Sequence, residues 1–164
     1  MLKKHEEAEL REKIKRHLDH PRVQRMNDFS QHGSITTYAH CYRVARWCYW
    51  VDKRLHLNSR EDVLLSGAML HDMFLYDWHT IGKMNRGHAI NHAELACRNA
   101  IRYCDIDKDT QDVIRTHMWP VNITKLPRTR EAVLVNIGDK WCSLVETLAF
   151  RRGMKKGKKR GKKH

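Results

Sequence analysis

Apolar residues return every three or four positions along this chain of 164 residues, and no segment sustains the alternation of a half-buried strand. A chain with that period can bury its apolar faces only helix against helix, so the expected fold class is all-α, a compact bundle of about six to seven helices. The length suits one domain with a core that needs no staples. Five cysteines, at 41, 48, 97, 104 and 142, form no C-x-x-C pair. Two pairs of them are spaced seven apart among apolar residues, and all five read as core thiols. No run approaches the roughly 18 apolar residues of a membrane span, and residues 1–7 lack the apolar core of a secretory signal, so a cytoplasmic protein is expected.

The helices can be placed from their stripes and stops. Leu10, Ile14 and Leu18 form a ladder in a charged first helix that breaks at Pro21, itself fit for the first turn of a short second helix. Gln31-His32-Gly33-Ser34 reads as a turn, and Ser34, Thr36 or Thr37 can cap a helix to about Arg54 whose expected buried stripe is Val44, Trp47, Cys48 and Val51, with His40 on the same side. Ser59-Arg60-Glu61-Asp62 resembles a capping arrangement before a short apolar helix that delivers His71 and Asp72 near its end. Gly67 inside that helix is costly unless another helix passes close to it. Residues 74–87 read as the rim of a cleft. A helix over about 88–103 carries His88 and His92, Asp107 caps another to about Met118 that carries His117, and a last long helix runs from 129 or 130 to about 149.

The formal charge of +13 suggests nucleic acid until its distribution is considered. Residues 151–164 hold nine Lys and Arg and no acid, so the rest of the chain carries only +4. The division is a helical domain at 1–150 and a basic tail at 151–164 whose composition favours disorder. Such a tail could contact nucleic acid without sequence preference by counterion release, or serve as a solvated end that resists aggregation.

Polar residues on the apolar faces carry the functional signal. A carboxylate such as Asp139, set in Val133-Leu134-Val135-Asn136-Ile137-Gly138, is expensive to bury unless it is paired or bound to a metal. A single histidine on a packing stripe is usually a satisfied core residue. Here His40, His71, His92 and His117 all occupy such positions, alongside Asp72 and Asp139. Imidazole and carboxylate together suit manganese, iron, zinc or nickel, with magnesium alone disfavoured. His88 and His92 are not an H-E-x-x-H site, because residue 89 is Ala, and there is no phosphate-loop, dinucleotide or nucleophile-elbow motif. Hydrolysis by metal-activated water is the simplest remaining chemistry.

The order His40, His71-Asp72, Asp139 resembles the H…HD…D pattern of the HD phosphohydrolase superfamily, as do the segments Gln31-His32-Gly33 before Thr37-Tyr38-Ala39-His40, Gly67-Ala68-Met69-Leu70-His71-Asp72, Ile114-Arg115-Thr116-His117-Met118-Trp119-Pro120 and Gly138-Asp139-Lys140. The resemblance covers roughly residues 30–150 and points to a small single-domain bacterial type with the compact HD helical bundle. It implies one or two divalent metal ions: His40, His71, Asp72 and Asp139 hold the first, and in members with extra histidines a second is bridged by Asp72, for which His92 and His117 match best, with His88 as a substitute or outer donor. It further implies in-line attack by activated water on a phosphate ester or anhydride of a small molecule, a nucleotide or dinucleotide, with Asp72 orienting that water. Lys83, Arg86 and Lys140 are the candidates to contact phosphate, and Trp78 or Trp119 to stack on a base. Where many members place a lysine soon after His-Asp, this chain has Met73-Phe74-Leu75, so Lys83 or His79 must substitute. The rival classes are a nucleic-acid-associated regulatory module and a metal-stabilised scaffold without turnover.

Overall fold

The structure, a computed structural model, describes residues 2–32, 35–76 and 86–160, and their side chains except at 32, 86–90 and 154–160. Among these residues eight α-helices follow in order: α1 (Lys4–Lys13), α2 (Lys15–Leu18), α3 (Pro21–Gln24), α4 (Thr37–Leu55), α5 (Glu61–Leu70), α6 (Arg86–Cys104), α7 (Lys108–Thr116) and α8 (Arg130–Arg160). Two of the eight are single turns, so the all-α expectation holds. The charged first helix is interrupted at Ile14 and continues as α2, and Pro21 opens α3 as anticipated. Where a bare turn was expected, Ser30–His32 (β1) pairs antiparallel with Ile35–Thr36 (β2).

Local chemistry explains most of the helix starts. Thr36 accepts the Ala39 N–H at 3.1 Å to cap α4, and Asp107 accepts that of Thr110 at 2.7 Å to cap α7. The start of α5 departs from its sequence reading. Ser59 does not cap it; Arg60 is the boundary residue, and its N–H donates to Glu131 Oε1 of α8 at 2.8 Å, while the Ser59 N–H donates to Asp52 Oδ1 at 3.1 Å. The acceptors come from other helices, which a local pattern cannot anticipate.

Helices α4, α5, α7 and α8 converge on Val44, Cys48, Leu64, Ala68, Val113 and Val135. The other part of the core joins α1, α4, α5, α6 and α7 through Leu10, Cys41, Leu70, Ala96, Ala100 and Ile114. Two glycines allow the close approaches. A Cβ on Gly67 would stand 2.5 Å from Val113 Cγ1, and one on Gly138 would stand 2.9 Å from the Trp47 ring. Thus α7 lies tight on α5, and α8 on α4, and these contacts bring the ends of α5 and α7 beside the middle of α8. All five cysteines are free and four are buried, as core thiols should be.

The last helix continues to Arg160, past the boundary expected near residue 149. Extending an existing helix requires no new nucleus, and Lys and Arg are good helix formers. No helix among the described residues is long and apolar enough to cross a membrane.

Candidate metal centre

Six side chains from five helices meet in the core. His40 lies in the first turns of α4, His71 and Asp72 follow directly on α5, His92 is on α6, His117 closes α7, and Asp139 is on α8. All six are buried, His40 and His71 completely. The two histidines at helix ends are held alike: His71 Nδ1 donates to the Ala68 carbonyl at 2.9 Å and His117 Nδ1 to that of Ile114 at 2.7 Å. Each bond uses a carbonyl three residues back in the helix and commits the Nδ1 proton, turning Nε2 toward the centre. The turn after Asp72 is secured by Asn99, whose amide donates to the Met73 carbonyl at 2.8 Å.

Asp139 Oδ1 lies 3.1 Å from His40 Nε2 and 3.8 Å from His71 Nε2. The two oxygens of Asp72 face different partners. Oδ2 is 3.4 Å from His71 Nε2 and accepts from Gln31 Nε2 at 2.5 Å, whereas Oδ1 lies 3.4 Å from His92 Nε2 and 3.6 Å from His117 Nε2. The Nε2 atoms of His92 and His117 are 3.1 Å apart. Among the described residues three overlapping groups have ligand atoms close enough to share an ion: His40, His71 and Asp72; His71, His117 and Asp139; Asp72, His92 and His117.

The electrostatics are those of buried opposite charges in mutual contact. Burial disfavours charged His40, but its hydrogen bonds to Asp139 and Glu146 overcome this and raise it to about 10. His71 is likewise raised against burial, by the negative groups around it. Burial works against ionised Asp72 and Asp139, yet the histidines hold both carboxyls below their usual range. His117 goes the other way: burial and the neighbouring His71 lower it to about 3, so it stays a neutral donor.

Within the centre, two buried atoms nevertheless have no hydrogen-bond partner among the described residues, His71 Nε2 and Asp72 Oδ1. Leaving such atoms unsatisfied costs about 1–3 kcal/mol each. Both belong to groups within reach of a common ion, and the mixed imidazole and carboxylate set is one that borderline divalent metals accept. The residues present therefore fit such a metal.

Two outer residues escaped the sequence reading. Glu146 is buried on α8 two turns after Asp139; its Oε2 accepts from His40 Nδ1 at 2.9 Å and its Oε1 from Arg43 at 2.9 Å. Its seven-residue spacing from Asp139 was the available signal. Gln31 enters the sequence reading only within the turn and the family resemblance of Gln31-His32-Gly33, and nothing local aims its amide at Asp72. Lys140, expected at the substrate, donates its ammonium to the carbonyls of His117 at 3.0 Å and Asn136 at 3.3 Å. Carbonyls at the end of α7 lack helical partners and attract a cation, so Lys140 and Asn136 together hold the segment bearing His117. Trp119 is partly exposed beside this segment, and Asn136 also donates to its carbonyl at 2.6 Å. Trp78, His79 and Lys83 lie outside the described residues, as do the side chains of Arg86 and His88.

A family model described as HD domain matches residues 37–142, a span that contains all six converging side chains and excludes Gln31 and Glu146. No curated protein and no solved structure matches the chain.

Proposed function

From the chain's membership of the HD domain family, we propose that it is a metal-dependent phosphohydrolase, cleaving a phosphate ester or anhydride in a small molecule of the nucleotide or dinucleotide class. The observation that carries this reading is the unpartnered Asp72 Oδ1, buried 3.4 Å from His92 Nε2 and 3.6 Å from His117 Nε2. His40, His71, Asp72 and Asp139 would hold one divalent transition metal, manganese, iron, zinc or nickel, and Asp72, His92 and His117 a second, with His88 as a further donor. Metal bound there supplies a Lewis acid that offsets charge on phosphoryl oxygens and makes water more acidic.

The chain's own residues set the geometry for that chemistry. The carbonyls of Ala68 and Ile114 turn His71 and His117 so that their free nitrogens face inward. Gln31 ties down one oxygen of Asp72 and leaves the other toward His92 and His117, which suits a carboxylate shared between two sites. Glu146 fixes His40 from behind. Lys83 and Arg86, from the segment after Asp72, are the proposed phosphate contacts. Lys140 could join them only by releasing the His117 carbonyl.

Elemental analysis of the purified protein and phosphate release from a nucleotide panel with added Mn²⁺ test this reading. Wild type should carry metal and turn over, Asp72→Ala should lose both, and His117→Ala should fall toward one ion per chain. Full metal content and turnover in a folded Asp72→Ala would overturn the assignment. A wild type that binds metal and hydrolyses nothing on the panel would leave the scaffold reading in its place.

A further inference from the structure

The core face of α8 is covered by Ala132, Val135, Asp139, Cys142 and Glu146. Its opposite face is also apolar. Val133, Ile137, Trp141, Leu144 and Leu148 follow at spacings of four, four, three and four, which places them along one side of the helix, and each is 41–53% exposed. The stripe spans about 22 Å of helix axis. Between Ala132 and Phe150 the charged residues are Asp139, Lys140 and Glu146. The first and third face the metal centre, and the second is engaged with backbone carbonyls. A helix face meant for water carries charge. This one has shed it, as the middle of a protein interface does.

Beside the stripe runs a groove of about 820 Å³ over α4 and α8, whose lining includes Trp47, Trp50, Trp141 and Val145 together with Arg43 and Arg46. Trp141 and Val145 belong to the groove, and Trp141 also to the stripe. A ridge and a furrow side by side on one surface are what a two-fold contact between identical chains requires, since each copy offers what the other receives. Five half-exposed side chains of this size, with Val145 and Phe150 beside them, expose on the order of 600 Å² of apolar surface, at the upper limit for one patch on a soluble monomer. Two copies would cover about 1,200 Å², the lower end for a specific interface. The 137-to-144 and 141-to-148 intervals are heptads, the period of paired helices. The nine cations after Phe150 decide the direction, because a parallel pair would lay both basic ends together.

We propose that the chain forms a two-fold homodimer in which the outward stripe of α8 lies antiparallel against that of a second copy and seats beside its α4–α8 groove. The interface backs onto the metal centre, because Glu146, which lines the groove, also holds His40.

Sedimentation equilibrium from micromolar to hundreds of micromolar protein is the test. Wild type should sediment at twice 19.5 kDa. The double variant Ile137→Lys/Leu144→Lys should be monomeric over the same range with an unchanged circular dichroism spectrum, since neither side chain enters the core; Leu144→Asn should weaken the dimer without abolishing it. Ile101→Lys, exposed on α6, which packs on α5 and α7, should leave it dimeric. Mixed Val133→Cys and Leu148→Cys chains should cross-link to each other on oxidation. A monomeric wild type across the range overturns the proposal, as does a dimer indifferent to Ile137→Lys/Leu144→Lys. A monomer whose co-sedimentation with phosphatidylserine vesicles survives removal of residues 151–164 assigns the face to an anionic bilayer instead, and a 148-to-148 cross-link refutes the antiparallel arrangement.

Discussion

Replacing Glu146 by alanine should weaken metal binding although Glu146 is not among the proposed ligands. Its Oε2 accepts from His40 Nδ1 at 2.9 Å in a fully buried contact, and that bond decides which way the imidazole faces. Loss of such an outer partner typically costs 10- to 100-fold in metal affinity, or about 1.4–2.7 kcal/mol. The fold should suffer as well, since the His40 N–H is left buried without its acceptor, at about 1–3 kcal/mol. Arg43, on the other carboxylate oxygen, is half-exposed and can turn to water. Glu146→Gln separates the two contacts. Its carbonyl can still accept from His40, while its amide must then face the Arg43 guanidinium, donor to donor, so Arg43 swings away. The expected order of metal affinity is wild type, Glu146→Gln, Glu146→Ala, with Arg43→Met close to wild type. Competition with a chromophoric chelator measures the affinities, and thermal melts in excess chelator measure stability separately. If Arg43→Met lowers affinity as much as Glu146→Ala, or if folded Glu146→Ala binds like wild type, the positioning role of Glu146 is wrong.

Two further outcomes concern the scaffold. Gly67→Ala brings a methyl to 2.5 Å from Val113 Cγ1; overpacking of roughly 1–3 kcal/mol, offset by about 1 kcal/mol of helix propensity, should lower the melting temperature. Val113→Ala in the same chain should restore more than additivity allows, and a strictly additive cycle would show that the α5–α7 contact is not the cause. His17 is buried with Nε2 2.9 Å from Ser66 Oγ, and burial, aided by the Arg16 charge, lowers it to about 4. The unfolded chain takes up that proton near pH 6.5 and the folded chain only near 4, so the stabilisation is complete above about 6.5 and lost as pH falls to 4, a difference of about 3 kcal/mol. Chemical denaturation between pH 7 and 4 should show a shallower decline in His17→Leu than in wild type, and parallel slopes would refute the assignment.

What the sequence made legible was whatever repeats at the helical period or acts within one turn. The stripe through Val44, Cys48 and Val51 placed His40 inward, Asp107 marked the start of α7, and Gly67 announced a close neighbour that proved to be α7. What it concealed depends on chain segments distant in sequence. The N–H of Arg60 is satisfied by Glu131, 71 positions away, and Ser59 gave a plausible local alternative. Lys140 sits next to Asp139 in sequence, yet α8 turns its ammonium to the end of α7, so adjacency to a ligand said nothing about its target. Glu146 was the more recoverable omission, because a carboxylate two turns from Asp139 in an otherwise apolar helix meets the criterion that singled out Asp139.

The same helix shows why an apolar period alone could not tell core from surface. Along α8, residues 132, 135, 139 and 142 and residues 133, 137, 141 and 144 each satisfy a spacing of three or four, and only the first set is buried. A helix carrying both stripes has more apolar surface than one core can cover. The carboxylates distinguish the two faces: Asp139 and Glu146 can be tolerated only where histidines and a guanidinium meet them, which fixes the inward side. Once that side is fixed, the second stripe must point away from the domain. The buried charges that build the metal centre thus also determine which apolar face remains for a second chain.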